Sequence, residues 1–145
     1  MSLIDTDVLS ALRWRERNPD VVRWISDRRT TDLYLSVVSV GEIERGIVSR
    51  QCLDPVFARV LAAWLDTVLA LYRERILAVD LSTARRWGRL CGALGHEGAD
   101  LLIAATALEH GLTVVTRNVR QTRTFGGYRT CGRGPTFHRF GHRVP

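Results

Sequence analysis

Three acids stand out among the 145 residues because of what surrounds them. Asp5 follows the apolar stretch Ser2–Ile4 and opens Asp5-Thr6-Asp7, where apolar spacing turns helical. Glu42 comes shortly after LYLSVV (33–38), and Asp100 opens the apolar run ADLLIAATALEH, which leads through Gly111 and LTVV to Thr116-Arg117-Asn118. Each acid thus falls just past a predicted strand or at the start of a helix that leads to the next one, where an open parallel sheet binds its ligands. Converging carboxylates repel one another, and the sequence has no lysine to relieve them. A hard divalent cation, Mg²⁺ or Mn²⁺, would do so. Such an ion lowers the pKa of a bound water and steadies charge on a phosphate under in-line attack. Each acid also has a plainer reading. Asp5 and Asp7 suit a helix cap, and Asp100 suits the positive end of a helix dipole. Glu42 sits three residues after Ser39, in the S-x-x-E pattern of a capping box.

The elements that must position these acids follow from periodicity. Ser2–Ile4 reads as a strand, followed by a helix from Thr6 or Asp7. Asn18-Pro19-Asp20 is a turn that caps a helix with Val21, Val22, Trp24 and Ile25 on its apolar face. Leu33–Val38 is rich in β-branched and aromatic residues and reads as a strand. Asp54–Arg75 reads as one amphipathic helix with Val56, Val60, Leu61, Trp64, Leu65, Val68, Leu71 and Tyr72 inward. Ile76–Val79 is a further strand, and Asp80 or Ser82 caps a helix that stops at Gly95. Helix Asp100–His110, a C-cap at Gly111 and strand Leu112–Val115 close the series. Short strands alternating with helices imply right-handed crossovers and an α/β fold, a parallel sheet between two helical layers. All four tryptophans fall in helical patterns and are expected in the core.

Composition sets the outer bounds. The apolar fraction of 46% and charged fraction of 25% are those of a globular domain, with residues 1–119 as its body. No uninterrupted apolar run approaches the roughly 18 residues needed to span a bilayer. The start, MSLIDTDVLS, lacks a basic region, so a cytoplasmic location is expected. Cys52, Cys91 and Cys131 form no CxxC pair and show no zinc spacing with the histidines, which reads as reduced structural thiols. Charge is uneven: residues 1–116 hold 14 arginines and 15 acids, residues 117–145 hold 7 arginines and no acid. Arginine at every basic position points to a GC-rich coding sequence, so its placement is more informative than its number. Arg13, Arg15 and Arg17 either line one side of an acidic groove or form a solvated helix face. From Arg117 onward leucine, isoleucine and alanine vanish and five glycines appear. No closing strand is legible there, and 120–145 is expected to be a poorly ordered basic tail.

In order and spacing, LIDTDVLS, SVVSVGEIERGI and GADLLIAATALEHGLTVVTRN resemble the successive signatures of PIN-domain ribonucleases, most closely the VapC toxins of bacterial toxin–antitoxin pairs. The likeness covers about residues 1–119. It implies a three-layer α/β/α PIN fold and a Mg²⁺-dependent (or Mn²⁺-dependent) endoribonuclease acting on structured RNA, tRNA or ribosomal RNA. It also implies a homodimer neutralised by a VapB-type antitoxin whose C-terminal segment blocks the acidic groove. By position, Asp5, Glu42 and Asp100 match the family's metal-binding acids, and Thr6 and Thr116 match polar residues beside them. Asn118 matches the asparagine of the TRN segment and is a weaker, neutral oxygen ligand. Asp7 stands where the family more often has asparagine. The departure comes next: Gln121 and Thr122 replace the aspartate and phenylalanine that usually follow TRN, so the fourth acid is missing. Weakened metal binding and reduced activity are expected from that loss. The tail's composition matches a stretch read in a shifted frame, which the coding DNA would show by restoring an Asp-Phe pair and an apolar strand. Two other readings compete. One is a relative that binds antitoxin or RNA without cutting. The other is a response-regulator or phosphatase-like domain, which usually places a lysine beside its acids; this sequence has none.

Overall fold

Alternating side chains on three short strands build the centre of the molecule. The computed structural model describes residues 1–118 and the backbone of Thr136–Arg139. Strands β1 (Ser2–Ile4), β2 (Leu33–Ser36), β3 (Ile76–Leu77), β4 (Thr113–Thr116) and β5 (Thr136–Arg139) form one sheet in the order β3-β2-β1-β4-β5. The first four run parallel, with Leu3 beside Tyr34 and Val114, and β5 is antiparallel to β4. Successive strand residues face opposite sides. Ile4, Leu35 and Val115 therefore join one apolar cluster, while Leu3 and Val114 join another. Two cores on one sheet require helices on both faces, the three-layer α/β/α arrangement expected from the sequence.

The first core is closed by α1 (Thr6–Ala11), α2 (Pro19–Ser26), α3 (Val37–Gln51) and α4 (Pro55–Tyr72) through Val8, Leu9, Val21, Trp24, Ile43, Ile47 and Leu65. The second is closed by α6 (Ala99–Glu109) through Ile103 and Ala107. Helix α5 (Leu81–Leu94) packs on α6, and Arg86 bridges to Glu109 at 2.7 Å. Asp80, rather than Ser82, caps α5: its Oδ1 accepts from the Thr83 amide at 2.8 Å. Gly95 ends that helix in the left-handed conformation at φ 72°, as a C-terminal glycine does. Cys52 and Cys91 are free thiols, and Cys131 lies outside the described residues.

Four expectations need correction. Strand β2 stops at Ser36, not Val38, because the Ser36 hydroxyl accepts from the Val38 amide at 3.2 Å and starts α3 there. Ser39 is consequently inside the helix, buried, and no capping box with Glu42 exists. In α4 the inward face is Ala58, Leu65, Val68 and Tyr72, with Leu61 and Trp64 half-buried; Val56, Val60 and Leu71 are exposed. Tertiary packing uses a narrower stripe than the apolar pattern offered. Of the tryptophans only Trp24 is fully buried, while Trp14 is 46% exposed. Last, the sheet does have a closing strand: β5 pairs Thr136–Arg139 with the free edge of β4. The rest of 119–145, including Gln121 and the expected disorder of the tail, lies outside the described residues. The stretch Pro55–Arg75 is long and apolar enough by composition to cross a membrane, yet it packs on α3 and carries Arg59 and Asp66.

Candidate active site

At the carboxyl edge of β1, backbone geometry delivers Asp5 to the start of α1. Its amide donates to the Val115 carbonyl at 3.0 Å, and its Oδ1 accepts from the Thr6 amide at 2.7 Å as the N-cap. Asp5 is 8% exposed. Burial pushes its carboxyl pKa up to about 6; the Thr116 hydroxyl and the Thr6 amide oppose the shift, while the charges of Asp7 and Glu42 add to it. Asp7 shares the same neighbourhood. Burial raises its pKa as well, against hydrogen bonds from the Arg117 and Val8 amides. Its Oδ2 accepts from the Arg117 amide at 2.8 Å, and its buried Oδ1 has no hydrogen-bond partner among the described residues. A buried oxygen without a partner costs on the order of 1–3 kcal/mol.

Glu42 lies one and a half turns into α3, too far from the Ser36 cap to reach its amide. Its Oε2 instead accepts from the Thr6 hydroxyl at 2.5 Å, which ties α3 to α1. Thr116, at the end of β4, is buried, and its hydroxyl accepts from the Asn118 amide at 3.0 Å. Asp100 occupies the first turn of α6 behind Gly98, the N-cap residue. Gly98 has extended backbone, but a Cβ there would run into the Asp100 Oδ1 atom, so the glycine leaves room for that carboxylate.

The sheet therefore brings Asp5, Asp7, Glu42, Thr6 and Thr116 together, with Asn118 joined through Thr116. Asp100 is half-buried in the first turn of α6 and is not joined to that group, and the described carboxylates do not close into a group of three at metal-ligand spacing. A hard divalent cation still fits the donor set. The donors are oxygens, burial raises the pKa of two of the carboxylates, and Asp7 Oδ1 is a buried acceptor left unused among the described residues. Mg²⁺ in particular keeps several waters and needs only one or two direct carboxylates.

A cavity of about 380 Å³ is lined by Thr6, Asp7 and Glu42 and, at its rim, by Arg13, Trp14 and Arg117, but not by Asp5 or Asp100. Asn18 organises that rim. Its Nδ2 donates to the carbonyls of Ala11 and Trp14 at 3.1 and 2.9 Å, and its Oδ1 accepts from Arg117 Nη1 at 2.9 Å. Asn18 does stand at the N-cap of α2, as the turn Asn18-Pro19-Asp20 leads one to expect, but its side chain makes no capping bond there. The one available signal was its asparagine type just after the arginine-rich segment.

Short parallel strands with acids beyond their carboxyl ends put the candidate site where open α/β domains bind their ligands. The chain belongs to the PIN-domain family, whose model matches residues 2–125. It is 36% identical over 126 residues to the plasmid stability protein StbB of Pseudomonas syringae, covering 81% of this chain and 88% of that protein. It is 32% identical to the VapC ribonuclease Y4jK of Sinorhizobium fredii, covering 81% and 87% respectively. Among solved structures, FitAcB from Neisseria gonorrhoeae superimposes with a TM-score of 0.74 at 33% identity, over 86% of this chain and 92% of that one.

Proposed function

We propose that this protein is a Mg²⁺- or Mn²⁺-dependent endoribonuclease toxin that cleaves structured RNA, tRNA or ribosomal RNA, and is neutralised by a VapB-type antitoxin. The observation that carries the reading is the buried Asp5, set with Asp7 and Glu42 at the end of β1 and beside an open cavity. The likeness to a VapC ribonuclease, a plasmid stability protein and FitAcB supports it. Asp5, Glu42 and Asp100 would hold the cation, with Asn118 as a neutral oxygen donor. Bound there, the ion supplies Lewis acidity and an activated water.

The chain's own residues do the rest. Thr6 fixes the orientation of the Glu42 carboxylate by donating to it. Thr116 presents its hydroxyl to Asp5 and Asp7, and Asp7 holds the backbone of Arg117. Arg117 is then placed at the cavity rim, where a guanidinium can meet an RNA phosphate. The exposed apolar residues Val48, Leu53, Val56 and Val60 along α3 and α4 offer surface for protein partners, a second copy in a homodimer and the antitoxin.

The test is cleavage of total RNA by the purified full chain in Mg²⁺, with and without chelation, beside Asp5→Asn, Glu42→Gln and Asp100→Asn. Metal-dependent fragments lost in all three variants are expected; metal-independent cleavage, or cleavage that survives Asp5→Asn, would refute the assignment. Gln121→Asp should raise the activity by restoring a missing acid. Intact RNA under every condition, together with a stable complex when the chain is expressed with the product of the adjacent gene, would favour the non-cutting binder.

A further inference from the structure

On the rim of the acidic cavity, an aromatic surface is decorated with guanidinium groups that play no part in the core. The segment after α1 is a 3-10 stretch, Leu12–Arg17, broken at Trp14, whose φ of −109° and ψ of 62° are not helical. That break turns the indole outward, and Asn18 holds the Trp14 carbonyl in place. The Trp14 ring lies nearly parallel to Phe57 of α4, at 16° and 6.5 Å between centroids. The Arg13 guanidinium rests 4.6 Å from the Trp14 centroid and 4.2 Å from that of Phe57, and Arg17 is 5.1 Å from Trp14. These guanidinium groups lie over the rings, so a base stacking on Trp14 would displace one of them from the indole face and free it to meet a backbone phosphate, the pairing of aromatic face and cation with which proteins hold unpaired nucleotides.

We propose that Trp14, with Phe57, Arg13 and Arg17, forms a stacking subsite for one unpaired RNA base a short distance along the strand from the phosphate to be cut. The inference rests on the ribonuclease reading and specifies how that substrate is gripped. Geometry ties the two together. Trp14 and Arg13 line the same cavity as Asp7 and Glu42, and Asn18 joins the Trp14 carbonyl to Arg117, whose amide is held by Asp7. A base on Trp14 would bring its phosphodiester to the cavity that Asp7, Glu42 and Arg117 also line, with Arg17 beside the indole. The site also explains how structured RNA is chosen without a recognisable sequence-reading module: only a looped-out base offers a free face to the indole. An antitoxin peptide seated on the same rings is the competing occupant. The arginines favour RNA, because Arg13 and Arg117 in the cavity lining and Arg17 over Trp14 suit a polyanion better than an apolar or basic peptide.

The experiment measures binding of a fluorescein-labelled single-stranded RNA of mixed sequence by anisotropy, using the full chain with Asp5→Asn so that the probe stays intact. Trp14→Ala in that background should weaken binding by about 5- to 150-fold, the range expected of one lost base stack, whereas Trp14→Phe should retain most of the affinity. A set of probes with a single abasic nucleotide at successive positions should show one position that weakens binding to the Asp5→Asn chain but not to the Asp5→Asn, Trp14→Ala chain. A role confined to folding would not produce that position dependence. Arg17→Ala should lower the salt slope of binding by about 0.7. RNA affinity unchanged by Trp14→Ala would overturn the subsite and leave the ribonuclease reading standing. Unchanged RNA affinity with loss of the antitoxin complex would reassign the rings to the peptide. Absence of both RNA binding by this chain and cleavage by the wild type would remove the subsite and the ribonuclease reading together.

Discussion

A carboxylate with little solvent and two like-charged neighbours is costly to ionise, and Asp5 is in that position. The consequence for stability has a definite sign. The folded pKa of about 6 exceeds the ordinary value of 3.8, so the folded chain binds the proton more tightly than the unfolded chain does. This group therefore favours folding below pH 3.8, loses that effect as pH rises through 3.8 to 6, and contributes nothing favourable above it. Asp7 shifts in the same direction and adds to the trend. Urea unfolding of the metal-free protein should show lower stability at pH 7.5 than at pH 5. Asp5→Asn should remove most of the difference, raising stability at pH 7.5 by at most about 3 kcal/mol. A metal-free protein equally stable at both pH values would contradict the burial argument. Asp100 gives a second prediction at this scale. Gly98→Ala should leave the fold intact, because the new Cβ meets only the movable end of the Asp100 side chain. RNA cleavage should nonetheless fall several-fold as that carboxylate swings away, with an unchanged circular dichroism spectrum as the control.

Helices and strands carry these groups, and their ends are where sequence and structure part company. The strand–helix order, the cap at Asp5 and the stop at Gly95 are all written in local residue types, and the structure follows them. The start of α3 was not legible. Val37 and Val38 look like strand, but the Ser36 hydroxyl reaches the Val38 amide and begins the helix three residues early. Moving the cap from Ser39 to Ser36 frees Glu42 from a capping role and sends it to Thr6, 36 positions away in sequence. Trp14 was misread because its helical spacing is real for Val8 and Leu9 but ends at the 3-10 break. The far end of α4 also depends on distant partners. Arg73 takes a positive φ of 32°, and Arg75 then donates to the carbonyls of Leu71, Leu33 and Thr30, fastening the helix to the start of β2. Arg75→Met keeps the apolar stem and removes the donors. It should lower stability by about 1–3 kcal/mol in denaturant titration. No loss would mean that solvent satisfies those carbonyls equally well.

At the scale of the whole molecule, the sheet acts as a shelf with two apolar sides and one reactive edge. Leu3 and Ile4 face opposite cores, and the residue that follows them is Asp5. Family membership was legible because three motifs recur in order, and the fold bears it out. The arrangement of the groove was not, since Asn18, Arg117 and Trp14 meet only after the chain has folded through 99 positions of sequence. The central claim is that this edge gathers a divalent cation around a carboxylate that is otherwise half protonated near pH 6. Isothermal titration of Mn²⁺ into the full chain at pH 6, in two buffers of different ionisation enthalpy, tests it most directly. Saturable binding that releases a fraction of a proton is expected, with both the binding and the proton release strongly reduced in Asp5→Asn. Binding of equal strength in Asp5→Asn, or no binding to the native chain, would contradict it.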